Sequence, residues 1–113
     1  MKFSASLKKR SDFQKVYQNG RSVADRNLVL YCLENGTERN HLGISISKKC
    51  GNSVVRHRFQ RRMREIYRQQ EEHFVKGRDF VVIARTDATE SSFQELKASF
   101  LRLAKRLHAV NVA

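Results

Sequence analysis

The sequence predicts an α+β protein: a two-layer α/β sandwich with a mixed sheet of about four strands. Its elements run helix, two or three strands, helix, strand, helix. Three observations predict it. Apolar residues recur at three- and four-residue steps over 13–17, 55–67 and 93–107, the helical period. They supply both sides of a strand over 27–33, alternate over 41–47 and run unbroken over 80–84, as in half-buried and central strands. The chain of 113 residues is one domain, 1–113, with room for a single modest core. Proline is absent and glycine sparse, so no linker or repeat interrupts it.

The first helix opens on a capping-box pattern, Ser11 as N-cap with Gln14 three residues on, and Gly20 ends it after Asn19. Phe13, Val16 and Tyr17 share one of its faces. In the strand 27–33, Val29, Tyr31 and Leu33 point one way and Leu28, Leu30 and Cys32 the other. A turn at Asn35-Gly36, with a loop to about Asn40, leads into a second strand whose Leu42, Ile44 and Ile46 face inward. That alternation implies one buried and one open sheet face, with the helices on one side. Ser92 and Glu95 form another capping box, before a helix marked by Phe93, Leu96, Phe100, Leu103 and Leu107.

The stretch 48–68 carries the strongest functional signal. It holds eight Lys or Arg against one acid, Glu65, and so contributes +7 of the net +12. The other 92 residues share +5, from 15 basic and 10 acidic side chains. At about 100° per residue, Val55, Phe59, Met63, Ile66 and Tyr67 fall in an arc of roughly 120°. Arg58, Arg61, Arg62, Arg64 and Arg68 cover the rest. Arg56 lies among the apolar residues, in a first turn from which it can reach past the helix end. Gly51-Asn52 suits a tight turn, and Asn52 or Ser53 can cap the helix. A merely solvated basic face interleaves Glu with Lys in i,i+4 pairs. Here those acids are missing and Arg, which forks onto phosphate oxygens, predominates. The pattern points to a nucleic-acid-binding face.

Other classes are disfavoured. No apolar run approaches the ~20 residues of a membrane span. The first ten residues lack the apolar core of a secretory signal, so the expected compartment is the cytoplasm. Cys32 and Cys50 have no CxxC spacing and read as reduced thiols, not as a zinc site or a disulfide. The carboxylates are scattered and His41, His57, His73 and His108 share no motif, so no catalytic or metal-binding group is expected in the protein. His57, inside the basic stretch, reads as a donor to phosphate. The visible chemistry is recognition. Basic residues supply salt-dependent affinity, and Phe13, Tyr17 and Tyr31 are candidates for stacking unpaired bases, with core packing the alternative for each.

Three segments together resemble the protein subunit of bacterial ribonuclease P, across nearly the whole chain. They are Leu7-Lys8-Lys9 with residues 12–20, then Val29-Leu30-Tyr31, then the run from Ser45 to Arg68. The last holds Gly51-Asn52-Ser53-Val54-Val55-Arg56-His57-Arg58, followed by Arg61 and Arg64, and looks like the family's RNR signature, G-N-A-V-x-R-N-R-x-x-(K)-R-x-x-R. The strand around 79–85 also fits. Three positions depart from the pattern: His57 replaces the central Asn, Gln60 replaces a basic residue, and Arg62 stands where an apolar residue is usual.

The resemblance implies an RNA-binding subunit of a ribonucleoprotein that removes the 5′ leader of precursor tRNA. Catalysis would lie in an RNA partner, with magnesium held mainly by that RNA. It implies that Lys48, Lys49, Arg56, Arg58, Arg61 and Arg64 face the catalytic RNA. Asn52, His57, Arg62 and Arg68 flank them as further RNA-binding candidates. It gives Phe13, Tyr17 and Tyr31 to a cleft for the leader, and implies a left-handed βαβ crossover around the basic helix, against the usual hand. A ribosome-associated RNA binder is the alternative, and it would need no cleft aromatics. If about six phosphates are neutralised, RNA affinity falls roughly a thousandfold between 50 and 200 mM salt. Titrations at those two salt concentrations check this, and a flat response rules out the electrostatic account.

Overall fold

The structure, a computed structural model, describes residues 2–111. The three expected strands are present as β3 (Leu28–Glu34), β4 (Asn40–Ser45) and β5 (Arg78–Ala84). Two short ones flank them: β1 (Ser4–Ser6) ahead of β3 in the chain, and β2 (Arg21–Ala24) just before it. The sheet therefore has five strands rather than about four, in the order β1-β4-β5-β3-β2. Both additions are edge strands too short and polar to show an apolar alternation; only Val23 of β2 packs on the core. β1–β4 and β4–β5 pair in parallel, β5–β3 and β3–β2 antiparallel.

The helices are α1 (Arg10–Asn19), α2 (Ser53–Gln70) and α3 (Phe93–Arg106). α2 is the crossover between the parallel neighbours β4 and β5. α2 and α3 pack on the sheet face that carries Leu28, Leu30, Leu42, Phe80 and Val82, and together they enclose the core. α1 departs from the expectation of helices on one side. It lies over β3 and β5 on the opposite face, where Val16 and Val81 are fully buried. Its cap departs as well. Lys9, not Ser11, is the N-cap, and its carbonyl accepts the amides of Asp12 (3.1 Å) and Phe13 (3.3 Å). The reason is upstream: Leu7 still bonds β4 through Leu42 (3.0 Å), so the chain turns into the helix before it reaches Ser11. The capping box at α3 forms as read, Ser92 and Glu95 each accepting the other's amide.

An aromatic kernel joins α2, β5, α3 and the segment between α2 and β5. Phe74 lies 5.2 Å from Tyr67, 5.3 Å from Phe80 and 5.4 Å from Phe100, centroid to centroid. The Tyr67 hydroxyl meets Ser4 Oγ at 2.7 Å and accepts from Asn40 Nδ2 at 3.2 Å. Burial raises the pKa of this phenol. Asn40, itself fully buried, also donates to the Val75 carbonyl (3.0 Å) and accepts the Arg78 amide (2.9 Å). At the end of α2, buried Glu71 accepts the amides of Lys2 (2.7 Å) and Phe3 (3.3 Å), which ties the segment before β1 to the helix. Burial alone would push the Glu71 carboxyl up, but the Ser4 hydroxyl and those two amides outweigh it and hold it below its usual 4.5. Asp25 is shifted the same way: hydrogen bonds from Leu28, Ser99, Asn27 and Arg102 outweigh its burial.

A depressed folded-state pKa stabilises the fold above the unfolded value and loses that contribution as pH falls through the folded value. The stabilisation these two carboxylates contribute is therefore fully present above about pH 4.5 and is lost below it as Glu71 and Asp25 protonate. Glu71→Gln should cost about 1–3 kcal/mol at pH 7 and flatten the acid limb. Urea unfolding of both proteins at pH 7 and pH 3.5 checks this; parallel pH profiles count against the clamp.

Candidate nucleic-acid interface

The chain leaves β4 through a 3₁₀ turn, Lys48–Cys50, where Ser47 Oγ accepts the Lys49 amide at 3.1 Å. Gly51 follows at φ 152°, and a Cβ there would stand 2.8 Å from Val55 Cγ1, so this corner requires glycine. Asn52 then caps α2, its Oδ1 accepting from the Val55 amide at 3.0 Å. Both lysines of the turn are exposed immediately before the helix N-terminus.

Along α2 the two faces separate as the periodicity requires. Phe59, Met63, Ile66 and Tyr67 are buried; His57, Arg58, Arg61, Arg64 and Arg68 are exposed. Arg62 is half-buried and donates from its guanidinium to the Ser91 carbonyl at 3.3 Å. Arg56, expected to reach past the helix end, is also half-buried, and its enclosed Nε has no hydrogen-bond partner among the described residues. Its angular position among apolar neighbours prevails over the freedom of the first turn. Glu65, the helix's sole acid, is engaged by Arg68, with Nε 2.9 Å from Oε2. That hydrogen bond lowers the Glu65 pKa and raises the Arg68 pKa. Among the described residues, Arg58, Arg61 and Arg64 have no acidic partner. Their charge faces solvent uncompensated.

On the opposite sheet face the three candidate aromatics form a row. Phe13 and Tyr17 are 6.4 Å apart, and Tyr17 meets Tyr31 edge-on at 5.1 Å. Phe13 is half-buried over Gly43, where an added Cβ would come within 2.6 Å of its ring. Tyr17 is the most open of the three, at 36 % exposure. Beside the row, Ser45, Ile83 and Val29 are half-buried register neighbours on the same face. Sequence reading did not single these out, although strand alternation from Tyr31 puts Val29 on that face. It also missed a pair that the β4–β5 register assembles, His41 Nδ1 at 2.9 Å from Asp79 Oδ1, with Asn35 Nδ2 on the same oxygen at 2.8 Å. Among the described residues no three His, Cys, Asp or Glu side chains gather as metal ligands, and no helix is long and apolar enough to cross a membrane.

The ribonuclease P family profile matches residues 1–108. The ribonuclease P protein component of Alkaliphilus metalliredigens is 40% identical over 98% of this chain and 100% of its own. That of Lachnoclostridium phytofermentans is 44% identical over 95% of this chain and 91% of its own. Among solved structures, the Staphylococcus aureus RNase P protein superposes with a TM-score of 0.87 at 36% identity, covering 94% of this chain and 97% of that one. The Thermotoga maritima protein gives 0.83 at 31% identity, covering 89% and 96%. With a basic crossover helix on one side of the sheet and an aromatic row on the other, and with relatives matched end to end, this chain belongs to the ribonuclease P protein family, the protein component of an endoribonuclease complex that processes tRNA.

Proposed function

We propose that the protein binds the catalytic RNA of ribonuclease P through α2 and the turn before it, and holds the precursor-tRNA leader on the aromatic row. Lys48, Lys49, Arg58, Arg61 and Arg64 contact the RNA backbone. Asn52 sets the helix start, and Arg56, His57, Arg62 and Arg68 complete the surface. Phe13, Tyr17 and Tyr31 stack the unpaired leader. The observation that carries this reading is that Arg58, Arg61 and Arg64, exposed on α2, have no acidic partner among the described residues.

Two polyanions must approach each other in such a complex, and their phosphates repel. Guanidinium groups between them offset that repulsion and release condensed counterions. The leader is single-stranded, so its bases are free to stack on an aromatic surface. The protein supplies positioning and charge; the groups that cleave the phosphodiester belong to the RNA, and magnesium ions held mainly by that RNA supply the metal chemistry. The complex works in the cytoplasm. The ribosome-associated alternative draws no support from the relatives described above, which are ribonuclease P proteins.

Precursor tRNA incubated at low magnesium with RNA alone, protein alone and both tests the division of labour. Cleavage to a mature 5′ end is expected only with both, and cleavage by protein alone overturns the assignment of chemistry to the RNA. Tyr17→Ala should weaken binding of leader-bearing precursor by about 5- to 100-fold, the range for one lost stacking contact, and leave mature tRNA binding unchanged. Equal losses for both substrates would remove the aromatic row from leader recognition.

A further inference from the structure

The helix that carries the arginines also carries an apolar side chain the fold does not use. Val54, in the first turn of α2, is 66 % exposed. It lies in a groove of about 960 Å³ between α2 and the start of α3, with His57, Arg58, Arg61 and Arg62 on the same helix and Phe93 across from them. The spacing 54, 57, 58, 61, 62 puts all five on one stripe of the helix. Phe93 is partly buried against the core and leaves the rest of its ring to the groove. Glu65 also borders it, but its carboxylate is engaged by Arg68. The groove thus combines strong positive charge with an apolar, flat-sided wall.

An RNA duplex would use only half of this. Its bases are stacked inside, and its deep, narrow major groove is closed to side chains, so it offers phosphates to the arginines and leaves Val54 and Phe93 in water. An unpaired nucleotide offers a phosphodiester and a base face together. His57, where the family pattern has Asn, adds a second flat ring to the wall. We propose that the α2–α3 groove holds one unpaired nucleotide of the RNA that α2 binds, its base against Val54, His57 and Phe93 and its phosphates on Arg58 and Arg61. The proposal rests on the reading of α2 as an RNA-binding face and adds what that face recognises: a site of local unpairing, not duplex backbone alone.

Chemical probing of the bases of the cognate ribonuclease P RNA, saturated with wild-type protein or with Val54→Lys, tests it. Val54 is exposed, so lysine there removes the apolar contact, adds a cation for phosphates and leaves the core untouched. At least one unpaired base shielded by the wild type should become about fivefold more reactive in the Val54→Lys complex, the change expected for loss of one modest base contact. The same base should be uncovered by Phe93→Leu. Identical base reactivities in the wild-type and Val54→Lys complexes would overturn the proposal while leaving α2 as a backbone binder. If Arg58→Ala with Arg61→Ala left complex formation unchanged, or the wild type formed no complex, the RNA-face reading itself would fall and the groove assignment with it.

Discussion

The fold depends on one helix satisfying two opposed demands. α2 presents a crowd of like charges to solvent, with Arg58 facing Arg61 and Arg62, and Arg64 facing both Arg61 and Arg68, at helical neighbour spacing. Each such like-charge pair costs about 0.2–0.5 kcal/mol, so the row costs ~1–2 kcal/mol in all. Against this, Phe59, Met63, Ile66 and Tyr67 are buried, each worth about 1.5–3 kcal/mol before the entropy of ordering is subtracted. Burial wins by a wide margin. The exposed arginines can therefore go without neutralising acids because the opposite side of the same helix anchors it. The aromatic kernel around Phe74 is in this sense part of what holds the basic surface in place.

That anchoring extends to both ends of α2. At its start, the Ser47 and Asn52 side chains hold successive turns, so the lysines and the first arginines leave a defined corner. At its end, Glu71 takes the amides of Lys2 and Phe3, and Tyr67 takes Ser4 and Asn40. Buried polar groups are costly unless paired, and these are paired to segments distant in sequence. The polar network therefore ties the N-terminal segment and β4 to the helix.

Much of this was legible in the sequence because periodicity reports burial. Leu28, Leu30 and Cys32 against Val29, Tyr31 and Leu33 sorted correctly onto two faces, and the apolar arc of α2 is buried from Phe59 onward, with Val55 half-buried in the first turn. What escaped depends on contacts between segments distant in sequence. β1 has only Ser-Ala-Ser to offer and exists because β4 gives it a parallel edge. The Lys9 cap follows from β1, since the chain is still tethered to β4 at Leu7. The placement of α1 on the far face follows from Val16 and Val81, whose burial there no local pattern announces. Of the candidate site, the arginines were readable from composition and spacing, whereas for Phe13, Tyr17 and Tyr31 spacing left core packing as an alternative and the family resemblance favoured the row. Val54 and Phe93 were not readable, because only the packing of α3 against α2 brings them to one groove.

Gly43 carries a consequence for how the aromatic row behaves. With no side chain at the centre of β4, the sheet has a hollow, and the Phe13 ring occupies it. Phe13 is thus seated against the sheet by the fold, while Tyr17, one turn along α1, keeps an open ring. The row is graded from a fixed end to an adaptable one. A partner laid along it meets a rigid reference point whose ordering entropy was spent in folding, and a neighbour that can still tilt to fit. A ligand held on such a surface, as proposed above, could vary along its length while the place where contact begins stayed the same.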